Sequence, residues 1–191
     1  CSVPINYVVT AEVNATSGEK GIVIASGIVA VAKTDAQLAT VIGHEMAHTN
    51  LGHLNKQMTN MVIGFATGLA VDAGVMVGGI PTGGFFSREF ARSGARAYSV
   101  QFEREADYVG AYYAARAGYD LTGTEELWWT LGQQADPNSL RFAKTHPLAP
   151  VRFLQMRAAA AEIAEKRSKH LPLVPELKTF ETAASPQPSN Y

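Results

Sequence analysis

His44 and His48 stand four residues apart with Glu45 directly after the first, in the segment His44-Glu45-Met46-Ala47-His48. On a helix, at roughly 100° per residue, side chains four apart project from one face about one turn apart, so both imidazoles can bind a single zinc ion. Glu45 then flanks the metal instead of completing its shell, where its carboxylate can take a proton from an activated water. The chemistry implied is hydrolysis, with Glu45 as the base. The same five residues on an ordinary core helix would do no chemistry, so the reading depends on a third ligand elsewhere in the chain.

The helix that must carry this clamp has its own signals. Thr34 and Gln37 form a Thr-x-x-Gln capping box, and Leu38, Val41, Ile42 and Met46 give a buried stripe that holds the helix in a core. Ahead of it, Ile5 to Thr10 reads as a strand, Ala11 to Lys20 as a connecting loop and Gly21 to Ser26 as a second strand, with Ile28 to Val31 continuing apolar into the clamp helix. Further on, Ser99 is placed to cap a helix from Val100 to Ala117, closed by Gly118, with Phe102, Ala106, Val109, Gly110 and Tyr113 on its buried face. Thr122 and Glu125 form another capping box ahead of Leu127-Trp128-Trp129, and Gly132 would end that helix. Pro150 opens an alanine-rich helix to about His170. The tail from Pro172, with Pro175, Pro186 and Pro188, is expected to run over the surface.

A chain of 191 residues, 47% apolar and 17% charged, suits one globular domain with a sizeable core. Its net charge of -1 gives no electrostatic reason to bind nucleic acid. A single cysteine, Cys1, excludes an internal disulfide and a multi-cysteine zinc knuckle, so a metal must rely on histidine and carboxylate. No basic-then-apolar leader precedes the first strand, so the sequence reads as processed or trimmed. Met61 to Ile80 is almost entirely apolar, small or glycine and matches a membrane span in length, although Asp72 sits at its middle and five glycines weaken a single straight helix. Three readings stand there: a membrane-facing or partner-facing hairpin bent near Asp72, a true span, or plain core. Gly83 to Gly94, with Arg88, Arg92 and Arg96 in or near it, reads as a mobile connector beside the site.

The missing ligand has candidates in Glu103-Arg104-Glu105-Ala106-Asp107, where Glu103 and Asp107 share a helical face, so that one can ligate while the other supports. With Glu103 as ligand, two histidines and one glutamate leave the fourth position open, the arrangement of a hydrolytic rather than a structural zinc. Asp107 would then accept a hydrogen bond from the far nitrogen of a ligand histidine and fix its orientation. On that reading Asp107→Ala lowers metal affinity or activity by roughly 10- to 100-fold without unfolding the domain. His53 lies nine residues beyond His44, about half a turn round a continuous helix, and is counted as a supporting or surface residue, not a ligand.

These residues carry a resemblance. His44-Glu45-Met46-Ala47-His48, followed 55 residues after His48 by Glu103-x-x-Ala106-Asp107, resembles the gluzincin peptidases of the HtpX and CAAX-prenyl-protease family, in particular its soluble bacterial members of the BepA and LoiP kind. Asn14-Ala15, the run Asp35-Ala36-Gln37-Leu38-Ala39, and Thr145-His146-Pro147 with Arg152 fall in the order that family shows, over about Ile5 to Arg157. Thr16 departs from it, as an aromatic often follows Asn-Ala, and the helix that normally precedes the first strand is missing. The resemblance implies an α+β, mostly helical zincin-like domain over 1–171, with a small N-terminal sheet, an HExxH helix, an apolar insertion at 61–98 and a proline-rich tail at 172–191. It implies one zinc per chain, protein or peptide substrates, and a role in envelope quality control, in the periplasm or at the outer membrane, with 61–80 as a contact for membrane or envelope complex. It also implies that His146 and Arg152 meet the oxyanion, or that His146 fills the fourth zinc position and holds the enzyme latent. Gly21, Ile22, Val23, Ile24 and Ala25 would be the edge on which an extended substrate adds as a strand. Two other functions remain beside this one: a zinc-stabilised, non-catalytic chaperone that holds clients on 61–80, and a zinc enzyme acting on a small amide.

Overall fold

A computed structural model of the chain describes residues 3–18, 20–96, 99–133, 146 and 150–177. The architecture is α+β and mostly helical, with a three-stranded sheet at the N-terminal end. Strands β1 (Ile5–Val8), β2 (Ala15–Gly18) and β3 (Gly21–Ala25) are ordered β1-β3-β2, with β1 parallel and β2 antiparallel to β3. Ile22 and Ile24 of β3 face the core while Val23 between them is exposed, the period-two pattern of a sheet with one covered face.

Two expectations change here. β2 falls inside the segment read as a loop; Ala-Thr-Ser-Gly has little strand preference of its own, and pairing of Ala15 with Ile24 and Gly18 with Gly21 supplies what propensity does not. The sheet order also removes Gly21, Ile22, Val23, Ile24 and Ala25 as a substrate edge. β3 is the central strand, hydrogen-bonded on both sides, so no further chain can add to it.

Helix α1 (Ser26–Val31) is separated from α2 (Asp35–Asn50) by a break at residues 32–34. The Thr34 hydroxyl accepts from the Gln37 backbone N–H, and the Gln37 side chain accepts in return from Lys33 N–H, one residue earlier than a standard capping box. The long helix α5 (Ser99–Arg116) packs on α2, and their contact is backbone on backbone: a Cβ on Gly43 would sit 2.4 Å from the Gly110 carbonyl oxygen, and one on Gly110 would sit 2.5 Å from the His44 nitrogen. Only glycine at both positions permits this approach. It brings the His44 end of the clamp against the middle of α5.

Helix α3 (His53–Val77) runs straight through Asp72, and α4 (Phe85–Arg96) returns along it as the second arm of a hairpin. The expected bend near Asp72 is absent because that carboxylate is used elsewhere, accepting from the backbone N–H groups of Phe86 and Ser87 at the start of α4. Gly64 and Gly68 let the α4 backbone approach so closely that a Cβ at either would overlap a carbonyl oxygen. The connector expected around Gly83 to Gly94 is therefore helical from Phe85 onward. Along α3, Met58, Met61, Val62, Phe65, Leu69 and Met76 are exposed at helical spacing. Among the described residues α3 alone is long and apolar enough to cross a membrane, and little of its apolar span is buried.

Helices α6 (Glu125–Gln133) and α7 (Pro150–Ser168) close the core over α5, with Leu127, Trp128, Leu131, Met156, Ala159 and Ile163 buried. Thr122 does not cap α6, since its hydroxyl donates to Asp120. The start of the tail runs along the surface and is pinned there: Glu176 N–H donates to the Tyr108 hydroxyl, Lys166 pairs with Glu176, and Leu173 and Leu177 pack on the core. The remainder of the tail lies outside the described residues.

Candidate metal centre

The α2–α5 crossing pairs the two helices residue by residue. His44 faces Asp107, with Nδ1 to Oδ1 at 2.8 Å, and one turn along, His48 faces Glu103, with Nε2 to Oε1 at 3.4 Å. His44 Nε2 lies 3.0 Å from His48 Nε2 and 3.3 Å from Glu103 Oε2. Four-coordinate zinc with nitrogen and oxygen at about 2.0–2.1 Å holds its ligands about 3.3 Å apart, so these three donors already have the separation that such an ion requires. Glu45 adds a second observation in favour of a metal and its water. The residue is wholly buried, and among the described residues no hydrogen bond satisfies its carboxylate, although His146 Nε2 stands 3.3 Å from Oε1. The residues present fit a zinc ion held by His44, His48 and Glu103.

The charges of this cluster are strongly coupled. Burial works against a charged His44, but hydrogen bonds and charge from Asp107 and Glu103 outweigh it and raise its pKa to about 9. His48 goes the other way: burial and the neighbouring charge of His44 lower it to about 4, against the pull of Glu103. Burial would raise the carboxylates, yet both are held below the usual range, Glu103 by hydrogen bonds from His146, His44 and His48, and Asp107 by the Arg152 guanidinium and His44. The charges of Glu103 and Asp107 are thus balanced by one guanidinium and the imidazoles around them.

His146 enters this cluster from outside the two helices. Its Nδ1 lies 3.2 Å from His44 Nε2 and 3.0 Å from Glu103 Oε2, and its Nε2 lies 3.3 Å from Glu45 Oε1. His146 therefore belongs to the same group of potential metal ligands as His44, His48 and Glu103. Thr145 and Pro147 on either side of it are outside the described residues.

Arg152 is placed differently from the expectation of an oxyanion contact. Its Nε and one terminal nitrogen grip both oxygens of Asp107 at 2.7 and 2.8 Å, the other terminal nitrogen lies 3.1 Å from Glu103, and the plane lies over the Trp128 ring. A guanidinium committed in this way, and almost wholly buried, faces the carboxylates of Asp107 and Glu103 and is not among the residues that line the cleft.

An open cleft of about 530 Å³ leads to Glu45, His48, Glu103 and His146 and is bordered by the β2 residues Thr16, Ser17 and Gly18. β2, an edge strand, occupies the position expected of β3. Two further residues escaped the sequence reading: Glu105, buried and paired with His53, and Trp128, whose ring packs near His44 and Arg152. For His53 a signal was available, because Gly52 ends α2 with φ +66° and breaks the continuous helix on which the half-turn offset was reckoned. The chain turns there, and His53 comes back against His48.

Residues 5–160 match peptidase family M48. The chain is 32% identical over 126 residues to the mitochondrial metalloendopeptidase OMA1 of Arabidopsis thaliana, an alignment covering 66% of this chain and 25% of that protein. It is 26% identical over 150 residues to a Vibrio cholerae protein assigned as a beta-barrel assembly-enhancing protease, covering 72% and 30%, and 27% identical over 161 residues to the metalloprotease LoiP of Escherichia coli, covering 81% and 62%. The chain spans less than two thirds of the length of each of these relatives.

Proposed function

The chain belongs to peptidase family M48, and we propose that it is the catalytic domain of a zinc-dependent endopeptidase that cleaves protein substrates. The observation that carries this reading is the convergence of His44, His48 and Glu103 beside the buried carboxylate of Glu45 at the base of an open cleft. When bound, the metal supplies Lewis acidity toward the scissile carbonyl and makes a water acidic enough to attack near neutral pH. Glu45 would serve as the base toward a water held there and would return the proton to the leaving amine. Asp107, gripped by Arg152, holds His44 through Nδ1 so that Nε2 faces His48 and Glu103, where the metal would be held. An extended substrate segment adds to the free edge of β2 at Thr16 to Gly18, which recognises backbone more than side chains and suits unfolded proteins better than small amides.

The conformation described is a latent one on this proposal, with His146 Nδ1 seated among the metal ligands and excluding water from them. The test is a protease assay on unfolded casein with metal analysis. The wild-type protein should carry one zinc and lose activity to a chelator, with recovery on adding zinc; hydrolysis indifferent to chelation would overturn the function. In the same assay His146→Ala should raise basal proteolysis. A fall of about 100-fold at unchanged zinc content would instead make His146 a transition-state group.

Two bacterial relatives, one of them named for beta-barrel assembly, support placing the protein in quality control at the cell envelope, in the periplasm or at the outer membrane. On this reading the α3–α4 hairpin rests on the membrane. Its exposed methionines and phenylalanines share the hairpin with the exposed cations Lys56, Arg88, Arg92 and Arg96, against the half-buried Glu89 paired with Arg92, a balance suited to anionic headgroups. Co-sedimentation with anionic vesicles that weakens on Met76→Ser with Phe85→Ser is expected; equal recovery without vesicles would refute the contact.

A further inference from the structure

The two zinc-binding histidines have unlike supports. His44 donates directly to a carboxylate, Asp107, whereas among the described residues the outer nitrogen of His48 meets another imidazole instead of a carboxylate: His48 Nδ1 lies 3.0 Å from His53 Nδ1. On its far side His53 Nε2 lies 3.2 Å from Glu105 Oε2, and the other oxygen of Glu105 accepts from the Gln101 amide at 2.9 Å. His53 and Glu105 are both buried, and the His53 ring is stacked on Phe102 with centroids 4.6 Å apart and planes 13° apart.

Hydrogen positions along this chain follow from the end that faces the metal. A ligating His48 Nε2 has no proton, so its proton is on Nδ1 and is donated to His53 Nδ1. His53 Nδ1 must then be an acceptor, which leaves its single proton on Nε2, the nitrogen that faces the Glu105 carboxylate. Every donor meets an acceptor with both imidazoles neutral. With His48 Nδ1 protonated, a proton on His53 Nδ1 would set two N–H groups against each other at 3.0 Å and leave the Nε2 lone pair facing the Glu105 carboxylate. His53 reaches this place because Gly52, in the left-handed conformation, turns the chain between α2 and α3.

We propose that His53, oriented by Glu105, is a positioning residue for His48, selecting the tautomer that presents Nε2 to the metal, as Asp107 does for His44. The proposal rests on the metal site put forward above and extends it by one imidazole and one carboxylate from α3 and α5. It does not make His53 a ligand, since its nitrogens are both engaged away from the donor cluster.

The test compares two substitutions by zinc affinity, measured by competition with a chromophoric chelator, and by thermal unfolding of the metal-free protein. His53→Phe keeps a ring against Phe102 but can neither accept from His48 nor donate to Glu105; it should weaken zinc binding by roughly 10- to 100-fold, and it should lower the unfolding temperature of the metal-free protein somewhat because the buried Glu105 keeps only Gln101 as a partner. His53→Gln can accept through its carbonyl and donate to Glu105 through its amide, so its affinity should stay within a few-fold of wild type. Wild-type affinity in His53→Phe would overturn the proposal and leave the metal site standing, as would equal losses in both variants, which would mark a packing position. A wild-type protein that binds no zinc would remove the metal site and this support with it.

Discussion

Replacing Glu45 by Gln should leave zinc in place and lower casein hydrolysis by roughly 10²- to 10⁴-fold, the range that a positioned general base contributes. The substitution is nearly isosteric at a wholly buried position, so the fold has little reason to respond. Glu45 is not in the donor set of His44, His48, Glu103 and His146, so the metal loses no ligand. What disappears is the ability to take a proton. Zinc content and turnover measured on one preparation check both halves. Activity within about tenfold of wild type would show that the base lies elsewhere, and the His146 imidazole, whose Nε2 is 3.3 Å from Glu45 Oε1, would be the next residue to replace. The same variant separates an enzyme from a zinc-stabilised chaperone. A client held on the exposed face of α3 would be retained by the Gln variant as well as by wild type, while peptide-bond cleavage would cease.

How much of this site was legible depended on whether its geometry is local. His44, Glu45 and His48 could be read because helical spacing alone sets which side chains share a face, and Glu103 with Asp107 could be read in the same way on the second helix. That the two helices would meet with His44 on Asp107 and His48 on Glu103 needed the Gly43–Gly110 contact, which no periodicity reveals, since a glycine at a helix crossing looks like any glycine. Arg152 shows the limit of motif order: its presence after His146 was visible, but the side of the carboxylates from which its guanidinium approaches is a matter of how α7 packs on α5. β2 was missed for a related reason. Its four residues become a strand through pairing with β3, and strand preference is mostly a property of such neighbours. The α3–α4 hairpin was half legible, because its apolar content was plain while the use of Asp72 as a cap for α4, which keeps α3 straight, required knowing where α4 would lie.

Glu103→Ala and Asp107→Ala should fail in different ways, although the two carboxylates sit one turn apart on α5 and both touch Arg152. Glu103→Ala removes a donor and leaves His44 and His48 with His146 of the latent conformation as the third imidazole, so the purified variant, above all when combined with His146→Ala, should retain little zinc and show no chelator-sensitive proteolysis. Near-stoichiometric zinc in the combined variant would sink the ligand assignment. Its fold should survive, because Asp107 still grips Arg152 through two hydrogen bonds and still holds His44. Asp107→Ala keeps all three donors but strips the guanidinium of its bidentate partner at a position only 1% exposed. Breaking a buried ion pair from one side costs about 3–5 kcal/mol. The low end applies here, since Glu103 at 3.1 Å and the Trp128 ring remain as partners for the charge. The sequence alone foresaw only the weaker metal binding, roughly 10- to 100-fold, and an intact domain. With Arg152 in view, Asp107→Ala should also unfold at a clearly lower temperature or denaturant concentration. Asp107→Asn, which keeps one acceptor for Arg152, should recover part of that loss. Thermal unfolding of the metal-free variants separates the two carboxylates: a large drop for Asp107→Ala and a small one for Glu103→Ala is expected, and the reverse order would mean that Arg152 leans on Glu103 and that Asp107 serves His44 alone.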